Sequence, residues 1–459
     1  MSSPFDITRF GAVGDGVHND AAAIQSAIDA AHAAGGGKVT VPSGRTFLSG
    51  SLVLRSHVEL YIERGATLQA SGDWDDITEH QVVTALSSGT VRDDTVASGV
   101  FLAAYNSTKI AVTGAGVIDG AGRHYVLEDQ GEIYAMPVAR PFTLFFIDCE
   151  DVTLTDTTYR DGALWTVRLT GCESVRIAGI RIRNDMKLPN ADGIDLDRCR
   201  LVRISDCDIQ CPDDAISLKA CEEYPDSGPC EDITITNCVL ETRSSAVVIG
   251  VDATSPIRNV TVSNCVIRAS HRGLSVNLGQ DSLYENILFT NITIETQIYD
   301  DRWWGRGEPI YVSAYPWHEG LGTIRNVRFS HIVARSENGI LISGFEPGHI
   351  DDIVFDDVTV ELAKWGSFDG GFVDNRPYRE ESRPISHPTS AIRVHNATGV
   401  EFRNTRVRWA DGVPDYFTHA LELESADVTL DRFIGAAAHS DLDAVNDLGG
   451  SRLTEVARA

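Results

Sequence analysis

Positive charge is scarce in this sequence: 39 Lys and Arg stand against 66 Asp and Glu, a formal net charge of −27. Nucleic-acid binding needs a basic face that neutralises phosphates, and this composition leaves little from which to build one. The same deficit makes a strongly anionic polymer an awkward ligand unless cations cluster locally. Long apolar runs are missing as well. No stretch of about 18 apolar residues occurs, so no membrane-spanning α-helix is expected. The opening, Met1-Ser2-Ser3-Pro4-Phe5-Asp6, lacks the basic stretch and apolar run of a secretory leader. For the chain as written this predicts a soluble, cytoplasmic protein, and a secreted one if a leader has been trimmed.

Several chemical signatures are absent too. The sequence holds no glycine-rich phosphate loop, no Ser-His-Asp arrangement and no metal cage, so neither cofactor nor metal is expected. Cysteine is present nine times, an odd number, without a His at zinc-like spacing. Cys149, Cys172, Cys199, Cys207, Cys238 and Cys265 sit in or beside repeated segments where a small buried side chain is expected. They read as reduced structural thiols. Cys221 and Cys230 flank residues 222–229 and are the one pair worth testing for a bridge.

What the chain does have is an internal repeat. Asp151-Val152-Thr153-Leu154, Ser174-Val175-Arg176-Ile177, Leu201-Val202-Arg203-Ile204, Asp232-Ile233-Thr234-Ile235 and Asn259-Val260-Thr261-Val262 share one pattern. It recurs from Asn286, Asn326, Asp352 and Gly399. Each copy is apolar at alternate positions, and most are followed by a polar turn and a second short alternating run such as Cys207-Asp208-Ile209. Alternation with period two marks strands. A repeat of 23 to 31 residues is about one coil of a parallel β-helix, whose stacked inward side chains bury a core that no single repeat could bury alone. A β-sandwich would need tight hairpins, and strong Asn-Gly or Asp-Gly signals between successive strands are not the rule.

The reading is therefore one all-β domain over residues 1–459. Its N-terminal cap covers about 1–45 and its C-terminal cap about 430–459, with loop insertions at about 299–319 and 364–388. Within the first cap, Asn19 is placed to start a helix over residues 20–34, with Ile24, Ala27, Ile28 and Ala31 on one face and Gly35-Gly36-Gly37 ending it. Such a helix would protect the open edge of the first coil.

Two acidic clusters carry the candidate chemistry: Asn190-Ala191-Asp192-Gly193-Ile194-Asp195, and Pro212-Asp213-Asp214-Ala215-Ile216-Ser217-Leu218-Lys219. Asp192 and Asp213 are 21 positions apart, close to one coil, so the two strand starts should lie side by side at about 4.8 Å. With Ile194, Ile216 and Leu218 pointing inward, Asp192, Asp213 and Asp214 would share one outer patch. Crowded carboxylates repel, and an acid that keeps its proton beside ionised bases is what glycosidic cleavage requires. For Asp195 and Asp197 the plainer reading is turn chemistry.

These segments resemble glycoside hydrolase family 28, the polygalacturonase and rhamnogalacturonase family, along nearly the whole chain. Phe10-Gly11-Ala12-Val13-Gly14-Asp15-Gly16 resembles an entry segment common in that superfamily. Asn190-Ala191-Asp192 matches the family's Asn-Thr-Asp motif, and Asp213-Asp214 its Asp-Asp motif. The resemblance implies a single-stranded right-handed parallel β-helix of the pectin-lyase-like type. It also implies Asp213 as general acid, and Asp192 with Asp214 activating the water that inverts the anomeric centre. Inversion would set acid and base carboxyls about 6.5 to 9.5 Å apart.

The chain departs from that pattern one coil later. Where the family has Gly-His-Gly it has Ser244-Ser245-Ala246, and where the family has Arg-Ile-Lys it has Ser275-Val276-Asn277. In polygalacturonases the Arg and Lys bind the galacturonate carboxylate, so their loss argues against plain polygalacturonan. His271 and Arg272, just upstream, are placed to replace them in part; the other candidate substrate contacts are Asn190 and Lys219, with Trp303, Trp304, Arg306 and Glu308 in the first insertion and Arg376 in the second. Two indoles in one loop suit sugar stacking, although one of them is expected to pack the loop. The leading expectation is an inverting hydrolase for a pectin-like oligosaccharide containing uronate or rhamnose. A hydrolase or transglycosylase for a neutral glucan or fructan, and a carbohydrate-binding β-helix without catalysis, remain as alternatives. A lyase fits less well, since β-elimination usually wants a calcium cage and a basic catalytic residue. Oligomeric state is left open.

Overall fold

The computed structural model describes residues 4–83 and 96–456. They form two compact units. One comprises the described residues up to Ile216 with Glu223–Gly228; the other comprises Ser217–Glu222 and the described residues from Pro229. Each is built from coils of a right-handed parallel β-helix, and the repeat is what builds them. The first residue of each repeat has positive φ: Asp151 (57°), Ser174 (59°) and Leu201 (54°) in the first unit; Asp232 (59°), Asn259 (57°), Asn286 (57°), Asn326 (52°), Asp352 (56°) and Gly399 (60°) in the second. This left-handed conformation bends the chain sharply between strands, and Asn, Asp and Gly tolerate it best. In the second unit the turn residues also bond from coil to coil. The Nδ2 groups of Asn259, Asn286 and Asn326 donate to the side-chain oxygens of Asp232, Asn259 and Asn286 at 2.9, 3.1 and 2.6 Å.

In the first unit the alternating runs become strands Glu150–Thr155, Glu173–Ala178 and Arg200–Ser205. They pair in parallel with Val152 beside Val175 beside Val202, and Leu154 beside Ile177 beside Ile204, all inside the core. A further sheet runs through Val96–Tyr105, Phe142–Ile147, Val167–Thr170 and Ile194–Asp197. Val167–Thr170 and Ile194–Asp197 alternate apolar and polar residues, yet both are buried at every position. The helix Ala21–Ala33 buries Ile24, Ala27, Ile28 and Ala31. Asn19 Oδ1 accepts from Ala21 N at 3.0 Å, while the Asp20 carboxylate turns back to Val13 N and Gly14 N at 2.7 and 2.9 Å and folds the glycine-rich entry segment.

In the second unit Phe289, Phe329, Phe355 and Phe402 stack one per coil, with ring centroids 5.0, 4.9 and 4.8 Å apart. Parallel strands Arg272–Leu278, Ile310–Ala314, Ile340–Gly344, Ile392–His395 and Leu421–Glu424 line another face. Two boundaries differ from the sequence reading. The stretch 299–319 contains the strand Ile310–Ala314, so the inserted part ends before it. The region from about 430 carries coil strands, since Val445–Asp447 pairs with Leu421–Glu424 and Arg452–Glu455 with Asp427–Asp431. The insertion at 364–388 holds a short antiparallel pair, Phe372–Val373 with Ile385–Ser386. All nine cysteines, including Cys221 and Cys230, are buried thiols.

Leu201 is the one aliphatic residue in the column of left-handed turn positions, and its side chain is 44% exposed. Left-handed backbone costs an ordinary residue about 1–2 kcal/mol. Leu201→Asn is therefore expected to raise unfolding stability by about 1 kcal/mol, read as a higher thermal midpoint; an unchanged or lower midpoint would contradict the turn argument.

Candidate active site

The start of the strand Ile194–Asp197 is fixed before the strand proper begins. Thr166 N donates to Asp192 O at 3.0 Å and Val167 N to Gly193 O at 3.1 Å; one coil on, Gly193 N donates to Asp214 O at 2.9 Å and Ile194 N to Ala215 O at 3.0 Å. This register puts Asp192 beside Asp214, with Asp213 one residue earlier. Only glycine fits between them, because a Cβ on Gly193 would lie 2.3 Å from Ala215 O and 2.9 Å from Ile209 Cγ2. Ile194 and Ile216 point into the core of the first unit, as their period-two spacing requires.

Each of Asp192, Asp213 and Asp214 offers a carboxylate oxygen, and these oxygens all lie within 4.8 Å of one another. Asp192 is buried and the other two half-buried. Asp213 is oriented by two backbone donors, Asn190 N to Oδ2 at 3.3 Å and Asp214 N to Oδ1 at 3.0 Å. The negative field of the cluster acts on the thiol next to it. Burial pushes the Cys211 pKa well up, and Asp192, Asp213, Asp214 and Asp195 push it further. Two charges at the 4.8 Å limit repel by about 3.5 kcal/mol at an effective dielectric of ~20. Three full charges therefore coexist there only at a cost that a proton or a nearby cation removes. The oxygens approach more closely than the 6.5 to 9.5 Å expected between acid and base. With C–O bonds of about 1.2 Å, carboxyl carbons behind oxygens 4.8 Å apart reach at most about 7 Å.

Sequence reasoning missed the residues that hold this turn. Asn184 Nδ2 donates to Ala191 O and to Thr166 Oγ1, both at 2.8 Å, and its Oδ1 accepts from Gly162 N at 3.1 Å. Arg140 is buried and bonds Pro189 O at 2.9 Å and Asn190 Oδ1 at 2.8 Å. Neither lies near the aspartates in sequence, and no motif flags them. Asn190, proposed from sequence as a substrate contact, sits at φ 56° with its side chain on Arg140 and its N–H on Asp213. Asp195 and Asp197 are not turn residues. Both are fully buried in the strand, and Asp197 accepts from Arg168 Nη2 at 3.0 Å and Thr170 Oγ1 at 3.1 Å. That guanidinium lies within 4.6 and 4.7 Å of the Phe145 and Trp165 ring centres.

The remaining sequence candidates lie in the second unit, where most are internal. Lys219 is 5% exposed, with Nζ 3.6 Å from Asp252 Oδ2. Arg272 is 2% exposed, lies 3.7 Å from the Tyr311 ring centre, and donates to Asp374 O at 2.7 Å, with Glu308 Oε2 3.5 Å from its Nε. Arg376 grips Asp374 with Nε and Nη2, both at 2.8 Å, and reaches Asp301 O at 2.8 Å and Trp303 O at 3.2 Å. Arg306 pairs with Asp301, and its N–H is accepted by Glu308 Oε2 at 2.7 Å. These bonds tie the two insertions together: loop backbone is rich in polar groups that need partners when covered. Glu308 is buried, which raises its pKa, and His271 is fully buried, which holds its pKa well below the usual value. Trp303 is buried, whereas Trp304 is half-buried with its ring edge-on to Trp317 at 6.0 Å.

Two stability measurements test these assignments. Gly193→Ala must displace the Ala215 carbonyl and is expected to cost about 1–3 kcal/mol; a wild-type thermal midpoint would show that the two strand starts are not in close contact. Arg272→Met leaves Glu308 and Asp374 buried without that cation and is expected to cost about 3–5 kcal/mol in denaturant unfolding. A variant as stable as wild type would mean that Arg272 is available to a ligand instead.

Comparison with known proteins extends this picture. A probable polygalacturonase of Vitis vinifera is 32% identical over 222 residues, 47% of this chain and 44% of that protein. Another probable polygalacturonase, from Arabidopsis thaliana, is 28% identical over 225 residues, 48% of this chain and 43% of that protein. The chain thus spans under half the length of these curated relatives. An exopolygalacturonase from Thermotoga maritima shares the fold with a TM-score of 0.66 at 22% identity, covering 78% of this chain and 87% of that one. A Yersinia enterocolitica family 28 exopolygalacturonase does so with a TM-score of 0.65 at 17% identity, covering 91% and 78%. The family model for glycosyl hydrolases family 28 matches residues 37–300, more than half of the sequence and the stretch that contains all three clustered aspartates. With coil architecture, motif order and carboxylate geometry in agreement, the chain belongs to family 28 of the glycosyl hydrolases.

Proposed function

We propose that the chain hydrolyses a glycosidic bond in a pectin-like oligo- or polysaccharide containing uronate or rhamnose, with inversion at the anomeric carbon. The observation that carries this reading is the meeting of three carboxylate oxygens within 4.8 Å, on strand starts one coil apart. Asp213 gives its proton to the leaving oxygen as the bond breaks, so that the departing sugar leaves as an alcohol. Asp192 and Asp214 take a proton from the water that attacks the opposite face of the ring. The two N–H donors on Asp213 fix its direction in either protonation state, since each carboxyl oxygen has more than one acceptor site.

One observation favours a second reading of the substrate. Lys219, Arg272, Arg306 and Arg376 each already have a carboxylate partner in the fold. A uronate carboxylate placed beside them would compete with those partners, which suits a neutral glycan.

The experiment is turnover on polygalacturonan, rhamnogalacturonan oligosaccharides, and neutral glucans and fructans, with the anomer of the first product followed by NMR. The leading reading predicts release from a rhamnogalacturonan-type substrate with inverted configuration, and loss of about 10²–10⁴ in kcat for Asp213→Asn. Cleavage of neutral glycans alone would select the second reading. Retained configuration would overturn the assignment of Asp192 and Asp214 as bases, and a fully active Asp213→Asn would overturn the hydrolase itself.

A further inference from the structure

Arg140 is an unusual cation. It is 5% exposed, yet the acceptors of its hydrogen bonds are all neutral: Nε donates to Ala163 O at 2.6 Å, Nη1 to Pro137 O at 2.7 Å, and Nη2 to Pro189 O at 2.9 Å and Asn190 Oδ1 at 2.8 Å. A buried charge held only by carbonyls and an amide is costly unless carboxylates nearby offset it. Those that act on it are Asp192 and Asp213. Burial lowers the Arg140 pKa to about 10, and these two carboxylates pull in the opposite direction. At that value the guanidinium is charged throughout the neutral range.

The bonds of Arg140 also lead mechanically to the carboxylates. Its fork fixes the carbonyl of residue 189 and the side chain of residue 190. Asn190, held at φ 56°, then directs its N–H to Asp213 Oδ2 at 3.3 Å. Two positions further on is Asp192, whose carbonyl is already bound by Thr166 N at 3.0 Å. One side chain thus sets the path of the turn that carries one carboxylate and orients another, and brings a positive charge to both. Asp192, Asp213, Asp214 and Asp195 all act on the neighbouring Cys211 thiol as negative charges.

We propose that Arg140 is a positioning residue for hydrolysis: it aims Asp213 through Asn190, and its charge lets Asp192 stay ionised while the cluster as a whole keeps one proton. This rests on the hydrolase reading above. In that reading three carboxylates must hold different protonation states within one small volume, and a fixed cation on one side of the cluster makes them unequal.

The test compares pH profiles of kcat and kcat/KM for wild type, Arg140→Gln, Arg140→Lys and Asn190→Ala on whichever glycan wild type cleaves, with thermal midpoints as the folding control. Arg140→Gln is expected to lose about 100-fold in kcat with KM little changed. Both limbs of its bell should move up by about one pH unit, because removing a neighbouring cation makes each carboxyl harder to ionise. Arg140→Lys keeps the charge without the fork, so its limbs should stay in place while kcat falls about tenfold. Loss of kcat in Arg140→Gln with an unmoved bell would show a merely structural role and overturn the proposal, as would wild-type kcat in that variant.

If Arg140→Gln does not fold, Arg140→Lys and Asn190→Ala decide. The proposal expects reduced kcat with unmoved limbs in each, and a double variant no worse than the poorer single one. Additive losses, or wild-type rates, would overturn it. Absence of turnover by wild type on every glycan tried is a different failure, because it removes the hydrolase reading before Arg140 is reached.

Discussion

The site depends on the register of parallel strands. A coil advances the chain by about one strand spacing, ~4.8 Å, so residues about one coil apart in sequence become neighbours at hydrogen-bonding distance. Asp192 and Asp214 are brought together in this way, by Gly193 N donating to Asp214 O at 2.9 Å and Ile194 N to Ala215 O at 3.0 Å. The hydrophobic stack of Leu144, Val167 and Ile194 holds those rungs in place, so the energy that aligns the carboxylates is the burial of apolar surface behind them.

The same constraint accounts for what the amino-acid pattern reveals and conceals. Val152, Val175 and Val202 could be assigned to one column because their strands face solvent on one side, which leaves the period of two visible. The strands Val167–Thr170 and Ile194–Asp197 still alternate apolar and polar residues, yet they are buried on both faces. Alternation marks Asp195 and Asp197 as facing away from Ile194 and Leu196, but it cannot show that this second face is covered too, so turn chemistry was the plainer reading. The helix Ala21–Ala33 was legible to within a residue at each end, since its buried face and its glycine stop are local features.

Long-range pairing is where the sequence falls silent. Arg140 and Asn184 hold the aspartate turn from positions 50 and 7 residues away from their partners Asn190 and Ala191, and nothing in Ala139-Arg140-Pro141 or Arg183-Asn184-Asp185 advertises it. In the second unit the opposite happened. Arg306 and Arg376 looked like ligand contacts because cations in insertions commonly face a groove, and Arg272 because it stands just upstream of the position where the family's cationic motif is missing. Arg306 and Arg376 each find a carboxylate in their own insertion, Asp301 and Asp374, and backbone carbonyls in the other, at Asp369 and at Asp301 and Trp303, a match that a one-dimensional reading cannot make. Trp303 is likewise internal, while Trp304 keeps part of its ring at the surface.

The central proposal is that Asp213 holds the proton that hydrolysis requires. The most direct measurement is the infrared absorption of protonated carboxylic acids, recorded as a difference between wild type and Asp213→Asn at neutral pH. The account predicts a carbonyl band of a protonated carboxyl group in wild type that is missing from the variant. A wild-type protein with all its carboxyl groups ionised, or a band that survives the substitution unchanged, would contradict it.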